Sequence, residues 1–116
     1  MNNETNQPKP NCWAHVMREL SDFDDWYLAP PNVDELPSNL NVTNKIEEAD
    51  AVAFREMGEK LLVHVGLVVS LFPLMLVHSP FYSPEVEIEP MKAITDRYSE
   101  LADIAPLEPV FLKLVD

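Results

Sequence analysis

Residues 61–78 read LLVHVGLVVSLFPLMLVH, and no Lys, Arg, Asp or Glu occurs between Lys60 and Glu85. An apolar stretch of this length is typical of a transmembrane helix or of a helix buried in a protein core. The residues that precede it place apolar side chains at helical spacing, in the same register. We therefore expect one long helix over residues 44–72, which Pro73 ends or kinks.

The start of this central helix is predicted by the sequence NKIEE at 44–48. Asn44 can cap a helix, and Glu47 occupies the third helical position, where a glutamate can reach back to the cap. Negative charge in the first turn also interacts favourably with the helix dipole. These residues predict that the helix begins at residue 44.

Shorter amphipathic segments flank the central helix. The apolar side chains of residues 13–20 and 91–105 recur at three- and four-residue steps, and Asn11 can cap the first of these helices. Residues 107–115 are also apolar and are consistent with either a turn or a strand. The proline-rich stretches 29–43 and 79–90 are expected to be connectors, although EVEI within the second would also suit a short edge strand.

The fold class that we predict is all-α: a small helical bundle around one long central helix, about 44–72, joined by proline-rich connectors. The chain has only two glycines, which disfavours many tight hairpins. Residues 1–10 are polar and contain two prolines, so we expect a flexible tail there. Residues 11–116 are expected to form a single small helical domain.

The uncharged segment has two interpretations. Residues 61–82 are long enough to cross a bilayer, but polar residues such as His64 and Ser70 lower the tendency to insert. We favour a core helix and keep a single transmembrane helix over 61–82 as the alternative. Apolar helix 61–78 could also pair with a second copy of the chain, since large apolar patches often mark interfaces.

The charge of the chain favours one kind of partner. It has 20 acidic and 8 basic residues, and its formal net charge is −12. This excess repels the phosphates of nucleic acids and the anionic inner face of membranes, so we expect no direct binding to nucleic acid. The expected partner is a protein with a basic surface, which could itself be a nucleic-acid-binding protein. Acidity also keeps a chain soluble without serving any partner.

The sequence SDFDDWYL at 21–28 mixes acidic and aromatic residues. Aspartates can steer a basic partner towards this stretch, and aromatic side chains are favoured anchors at interfaces. The simpler interpretation is that the aromatic residues pack onto the protein's own core. The candidate partner-binding residues are Asp22, Phe23, Asp24, Asp25, Trp26 and Tyr27.

Catalytic and metal-binding motifs are absent from the sequence. Cys12 and His15 have a spacing seen in metal sites, but a zinc site needs more ligands than these two. His64 and His78 are typical of hydrogen-bonded core histidines, and the less favoured interpretation is a ligand to a pigment or haem in a membrane subunit. We predict no enzyme activity, no cofactor and no metal site.

The function that these observations predict is a non-enzymatic interaction protein: an adaptor, an inhibitor or a minor complex subunit. It would bind a basic surface of its partner, and one version is nucleic-acid mimicry by surface carboxylates. The alternative is a single-pass membrane subunit of a multiprotein complex. The first residues, MNNETNQPKP, lack the basic and apolar regions of a secretory signal, so the expected location is cytoplasmic, or the membrane in the alternative.

Overall fold

The computed structural model describes residues 9–115 and shows a six-stranded antiparallel sheet with two short helices. The helices are α1 (Cys12–Leu20) and α2 (Met91–Ala102). The strands are β1 (Leu40–Val42), β2 (Ala51–Glu56), β3 (His64–Leu71), β4 (Leu74–His78), β5 (Glu87–Pro90) and β6 (Leu107–Leu114). The predicted all-α bundle is therefore wrong, because most of the regular structure is strand.

The strand order in the sheet is β1-β6-β2-β3-β4-β5, and every neighbouring pair is antiparallel. Strand β6 comes last in the sequence but lies between β1 and β2. Its register pairs Leu112 with both Val42 and Ala51. The C-terminal segment that the sequence left open as a turn or a strand is thus an internal strand of the sheet.

The central helix predicted over 44–72 is also wrong. Its supposed start forms one 3-10 turn, Ile46–Glu48, and the rest forms β2, a turn and β3. Gly58 in that turn has a φ of 86°, a conformation that favours glycine. Most of β2 and the first half of β3 are covered on both faces, so they read as continuous hydrophobic runs rather than alternating ones. The second half of β3 is apolar but partly exposed, and Val69 is 52% exposed.

The two helices lie on opposite faces of the sheet. In β2, Ala51 and Ala53 belong to the apolar cluster that includes Trp13 of α1. Their neighbours Val52 and Phe54 belong to the cluster that includes Ile94 of α2. Because successive side chains of a strand point to opposite faces, β2 separates two cores and the architecture is helix, sheet, helix.

Local signals placed both helices correctly. The side chain of Asn11 caps α1 by accepting a hydrogen bond from the amide of Ala14 at 3.2 Å, and the helix ends before Ser21, as predicted. Helix α2 follows Pro90 and ends at Ala102, three residues earlier than predicted. The cap at Asn11 acts within one turn of the chain, so the sequence shows it directly. The similar signal at Asn44 precedes only the 3-10 turn Ile46–Glu48, because the residues that follow pair as strands.

The segment 61–82 forms β3, β4 and the loop that follows them, so the membrane-spanning helix of the alternative interpretation is wrong. No helix within residues 9–115 has both the length and the apolar character needed to cross a membrane. Self-association through residues 61–78 stays a prediction, now for strands instead of a helix. Of the predicted tail 1–10, residues 1–8 lie outside the described residues, and Lys9 contacts the chain after β4 by donating to the carbonyl of Ser83 at 2.5 Å.

Candidate functional site

A cavity of about 370 Å³ opens where the chain enters β3. Its walls come from both layers of helix: Cys12 at the start of α1 and Tyr98 of α2 line it, together with His64, the first residue of β3. Ser79 and Phe81, which follow β4, complete the wall. The cavity therefore lies at the end of the sheet, where side chains from its two faces come together.

The loop after α1 forms the rim of this cavity, and Asn11 holds it in place. The backbone N–H of Asn11 donates to the carbonyl of Trp26 at 3.0 Å. Its side chain donates to the carbonyl of Leu28 at 2.8 Å and accepts from the Leu28 amide at 3.0 Å. One asparagine thus caps α1 and fixes the path of the loop.

Arg18 supports the loop from the side of the helix. Its guanidinium lies over the ring of Trp26, 4.4 Å from the centroid, in cation–π geometry. It also donates to the backbone carbonyls of Asp24 and Asp25. The aromatic side chain is therefore held in one orientation although it lies at the surface.

The predicted partner-binding residues occupy this loop with different exposures. Trp26 is 47% exposed and Tyr27 is 66% exposed, and both line the cavity. Phe23 is half-buried and packs against the core under α1. The three aspartates of the set, Asp22, Asp24 and Asp25, are exposed. The aromatic pair and the carboxylates thus share one surface, and Phe23 anchors it.

A chain of hydrogen-bonded polar side chains runs from the half-exposed Arg97 of α2 to His64 in the cavity wall. Nε2 of His64 lies 2.7 Å from Nδ1 of His78, and Nε2 of His78 lies 2.7 Å from a carboxylate oxygen of Glu89. Tyr82 donates to the same oxygen at 2.8 Å, and Arg97 of α2 lies 2.9 Å from the other. Both imidazoles are buried, and Glu89 is 7% exposed. We call His64, His78 and Glu89 the histidine relay.

The charges of the relay follow from burial and hydrogen bonding. Burial favours a raised pKa for the Glu89 carboxyl, but hydrogen bonds from Tyr82 and His78 and the charge of Arg97 lower this pKa overall. Burial lowers the pKa of His64 to about 3. Burial also lowers the pKa of His78, although its hydrogen bond to Glu89 acts in the opposite direction. At neutral pH the carboxylate is charged and both imidazoles are neutral.

These charges fix the tautomers of the two histidines. A carboxylate can only accept, so Nε2 of His78 carries the proton that is donated to Glu89. Nδ1 of His78 is then an acceptor, and Nε2 of His64 must donate to it. The proton-free nitrogen of His64 is therefore Nδ1, and no hydrogen bond among residues 9–115 uses that nitrogen.

The thiol in the cavity is not activated. Burial raises the pKa of Cys12 to about 11, so the group stays protonated at neutral pH and is a weak nucleophile. Within residues 9–115 there is no group of three or more His, Cys, Asp or Glu that could hold a metal ion. Hydrogen-bonding and aromatic side chains line the cavity beside this thiol.

Sequence reasoning singled out His64 and His78 but did not connect them to each other or to Glu89. The connection is made by strand pairing, since β4 places Gly66 opposite His78 and β5 places Glu89 opposite Leu76. No spacing along the chain could have shown it. Comparison of the chain with protein-family models, curated proteins and solved structures finds no match.

Proposed function

We propose that this chain is a non-enzymatic, cytoplasmic interaction protein that binds a basic surface of a partner protein through the loop of residues 22–27. The observation that carries the proposal is the exposure of Trp26 and Tyr27 on a loop that is held rigidly by Asn11 and Arg18. Large aromatic side chains that are ordered before binding lose little conformational entropy when a partner covers them.

The charges around the aromatic pair support a basic partner. Asp22, Asp24 and Asp25 are exposed beside Trp26, and the whole chain carries a net charge of −12. Carboxylates at the edge of an interface increase the association rate with a positively charged surface. Nucleic-acid mimicry is the version of this function in which the partner's basic surface normally holds phosphates.

The test is affinity capture from native lysate with the full chain and two loop variants, followed by measurement of the dissociation constant for each partner identified. We expect Trp26→Ala to weaken binding about 30-fold, the size of effect shown by central aromatic anchors. A triple variant of Asp22, Asp24 and Asp25 to Asn should lower the association rate and flatten its dependence on salt.

Controls for these variants lie elsewhere on the surface. Phe72→Ala removes an aromatic side chain that is 91% exposed in the β3–β4 turn, and it should leave binding unchanged. Glu59→Gln and Glu100→Gln remove exposed carboxylates outside the loop. If Phe72→Ala abolishes binding while Trp26→Ala has no effect, the loop is not the binding surface. If nucleic acid does not compete with this chain for the partner, the hypothesis of nucleic-acid mimicry is wrong.

A further inference from the structure

Nδ1 of His64 is a hydrogen-bond acceptor in the cavity wall that has no partner among residues 9–115. His64 is 1% exposed and lines the cavity, and the histidine relay leaves Nδ1 of its ring without a proton. The imidazole as a whole is buried, but Nδ1 of His64 is not among the fully buried side-chain atoms without a partner in residues 9–115, so it is open to water or to a guest in the cavity. The hydrogen bond to His78 orients the imidazole of His64, as hydrogen bonds from the second ring nitrogen orient the histidines of metal sites.

The surroundings of this acceptor are aromatic. The ring centroid of Tyr98 lies 5.0 Å from that of His64, and the ring of Phe81 lies 5.0 Å from that of Tyr98. Trp26 and Tyr27 stand at the rim. Aromatic walls favour a planar aromatic guest through stacked and edge-to-face contacts. The volume of about 370 Å³ lies at the lower end of the range for small-molecule sites.

The polar groups of the wall restrict the charge of a guest. Lys9 lines the cavity, and its ammonium group donates to the carbonyls of Pro80 and Ser83. A positive charge in this wall disfavours a cationic guest. An anion without a proton to donate would leave Nδ1 of His64 unpaired. A neutral molecule with an N–H or O–H donor satisfies both conditions.

We propose that the cavity binds a small neutral aromatic molecule of the phenol or indole class, whose O–H or N–H group donates a hydrogen bond to Nδ1 of His64. The aromatic walls supply most of the contact area, and His64 supplies the selection for a donor. This site shares Trp26 and Tyr27 with the loop that we propose binds a basic partner. It is tested with small molecules alone, so the two proposals can fail independently.

The decisive experiment compares matched pairs of molecules with the full chain at neutral pH. Indole and indene have nearly the same shape, but indene has a CH₂ group in place of the N–H; phenol and toluene differ in the O–H group. Titration followed by calorimetry or ligand-observed NMR should show that indole binds about tenfold more tightly than indene, the effect of one buried hydrogen bond. Phenol should exceed toluene in the same way.

Two further measurements test whether His64 is the residue that accepts the hydrogen bond of the guest. Indole should shift the backbone amide NMR signals of Asn11, Cys12 and Ser79, which line the cavity. His64→Phe should remove the preference for indole over indene, while His15→Gln, a change outside the cavity wall, should retain it. If His64→Phe does not fold, the matched pairs on the unaltered chain still decide the question.

The pH dependence of indole binding distinguishes a buried, neutral His64 from a histidine with an ordinary pKa. Because the pKa of His64 is about 3, Nδ1 remains an acceptor and indole affinity should stay constant from pH 8 to pH 5. Equal affinity for indole and indene, or amide shifts confined to residues outside the cavity, would overturn the proposal. So would tighter binding of N-acetyltryptophanamide than of indole, which would assign the cavity to a partner's side chain.

Discussion

His64 and His78 are neutral at physiological pH because burial disfavours the imidazolium form of each ring. The carboxylate of Glu89 opposes this effect at His78 only, through the hydrogen bond of 2.7 Å. The same hydrogen bond assigns the proton of His78 to Nε2 and, through it, the proton of His64. A single carboxylate in β5 thus determines which nitrogen of a histidine in β3 carries no proton and can accept a hydrogen bond.

Stability should fall with decreasing pH below about 6.5. The folded-state pKa of His64, about 3, lies below its ordinary value of 6.5, so between these values the unfolded chain binds a proton that the folded chain does not. The stabilisation is complete above 6.5 and is lost as the pH falls, by about 1.4 kcal/mol per pH unit for each such proton. His78 contributes with the same sign. Urea unfolding at pH 7, 6 and 5 measures the slope.

His15 provides the control for this pH dependence. Burial also lowers its pKa, so it adds a contribution of the same sign. His15→Gln removes that contribution and should leave most of the slope, because both histidines of the relay remain. A free energy of unfolding that is the same at pH 7 and at pH 5 would contradict neutral, buried imidazoles.

At the scale of the element, residues 51–71 show why an apolar run is ambiguous. Helical spacing and a convincing cap at Asn44 predicted a helix, but the run also contains Val63, Val65, Val68 and Val69, whose β-branched side chains suit a strand. In β2 and in the first half of β3, both faces are buried between the helical layers, so the alternation of polar and apolar residues disappears. The spacing of apolar residues along the sequence could not by itself distinguish a buried helix from a buried strand.

Gly66 should be essential to the pairing of β3 with β4. An added Cβ would lie 3.1 Å from Cβ of His78 and 3.2 Å from Cβ of Leu76, which is closer than ordinary contact. We expect Gly66→Ala to lower the free energy of unfolding by about 1–3 kcal/mol, as overpacking does, with urea unfolding as the measurement. The signals of His64 and His78 in imidazole NMR spectra should shift with it.

Gly58 supplies a matched control for the glycine in β3. A Cβ added there would meet no other atom within 4 Å, but the φ of 86° is left-handed. Asparagine tolerates such a backbone, so Gly58→Asn should change stability by less than about 1 kcal/mol. Equal losses for the two variants would show that the close approach of β3 and β4 is not what Gly66 provides.

At the scale of the whole molecule, β6 joins segments that are distant in sequence. It pairs on one side with β1, which ends at Val42, and on the other with β2, which begins at Ala51. Its residues Val110 and Leu112 belong to the core under α1, and Leu107 belongs to the core under α2. Both cores therefore depend on the last strand of the chain.

Removal of residues 107–116 should abolish cooperative folding, because it leaves β1 without a partner strand and opens both cores. Circular dichroism during thermal unfolding should show no cooperative transition for this truncation. Lys113→Gln, a change at an exposed position of β6, is the control, and it should keep a cooperative transition. A truncated chain that still unfolds cooperatively would show that the remaining strands form a stable sheet without β6.

The sequence by itself determined the features that depend on near neighbours: the helix capped by Asn11, the helix that begins at residue 91, and the acidic and aromatic composition of residues 22–27. Tertiary structure alone decided that the uncharged segment is strand, and that His64, His78 and Glu89 form one hydrogen-bonded relay. The physical reason is the separation along the chain of the residues that interact. Caps act through bonds within one turn, whereas strands and buried relays depend on partners that are far along the chain and close only after folding.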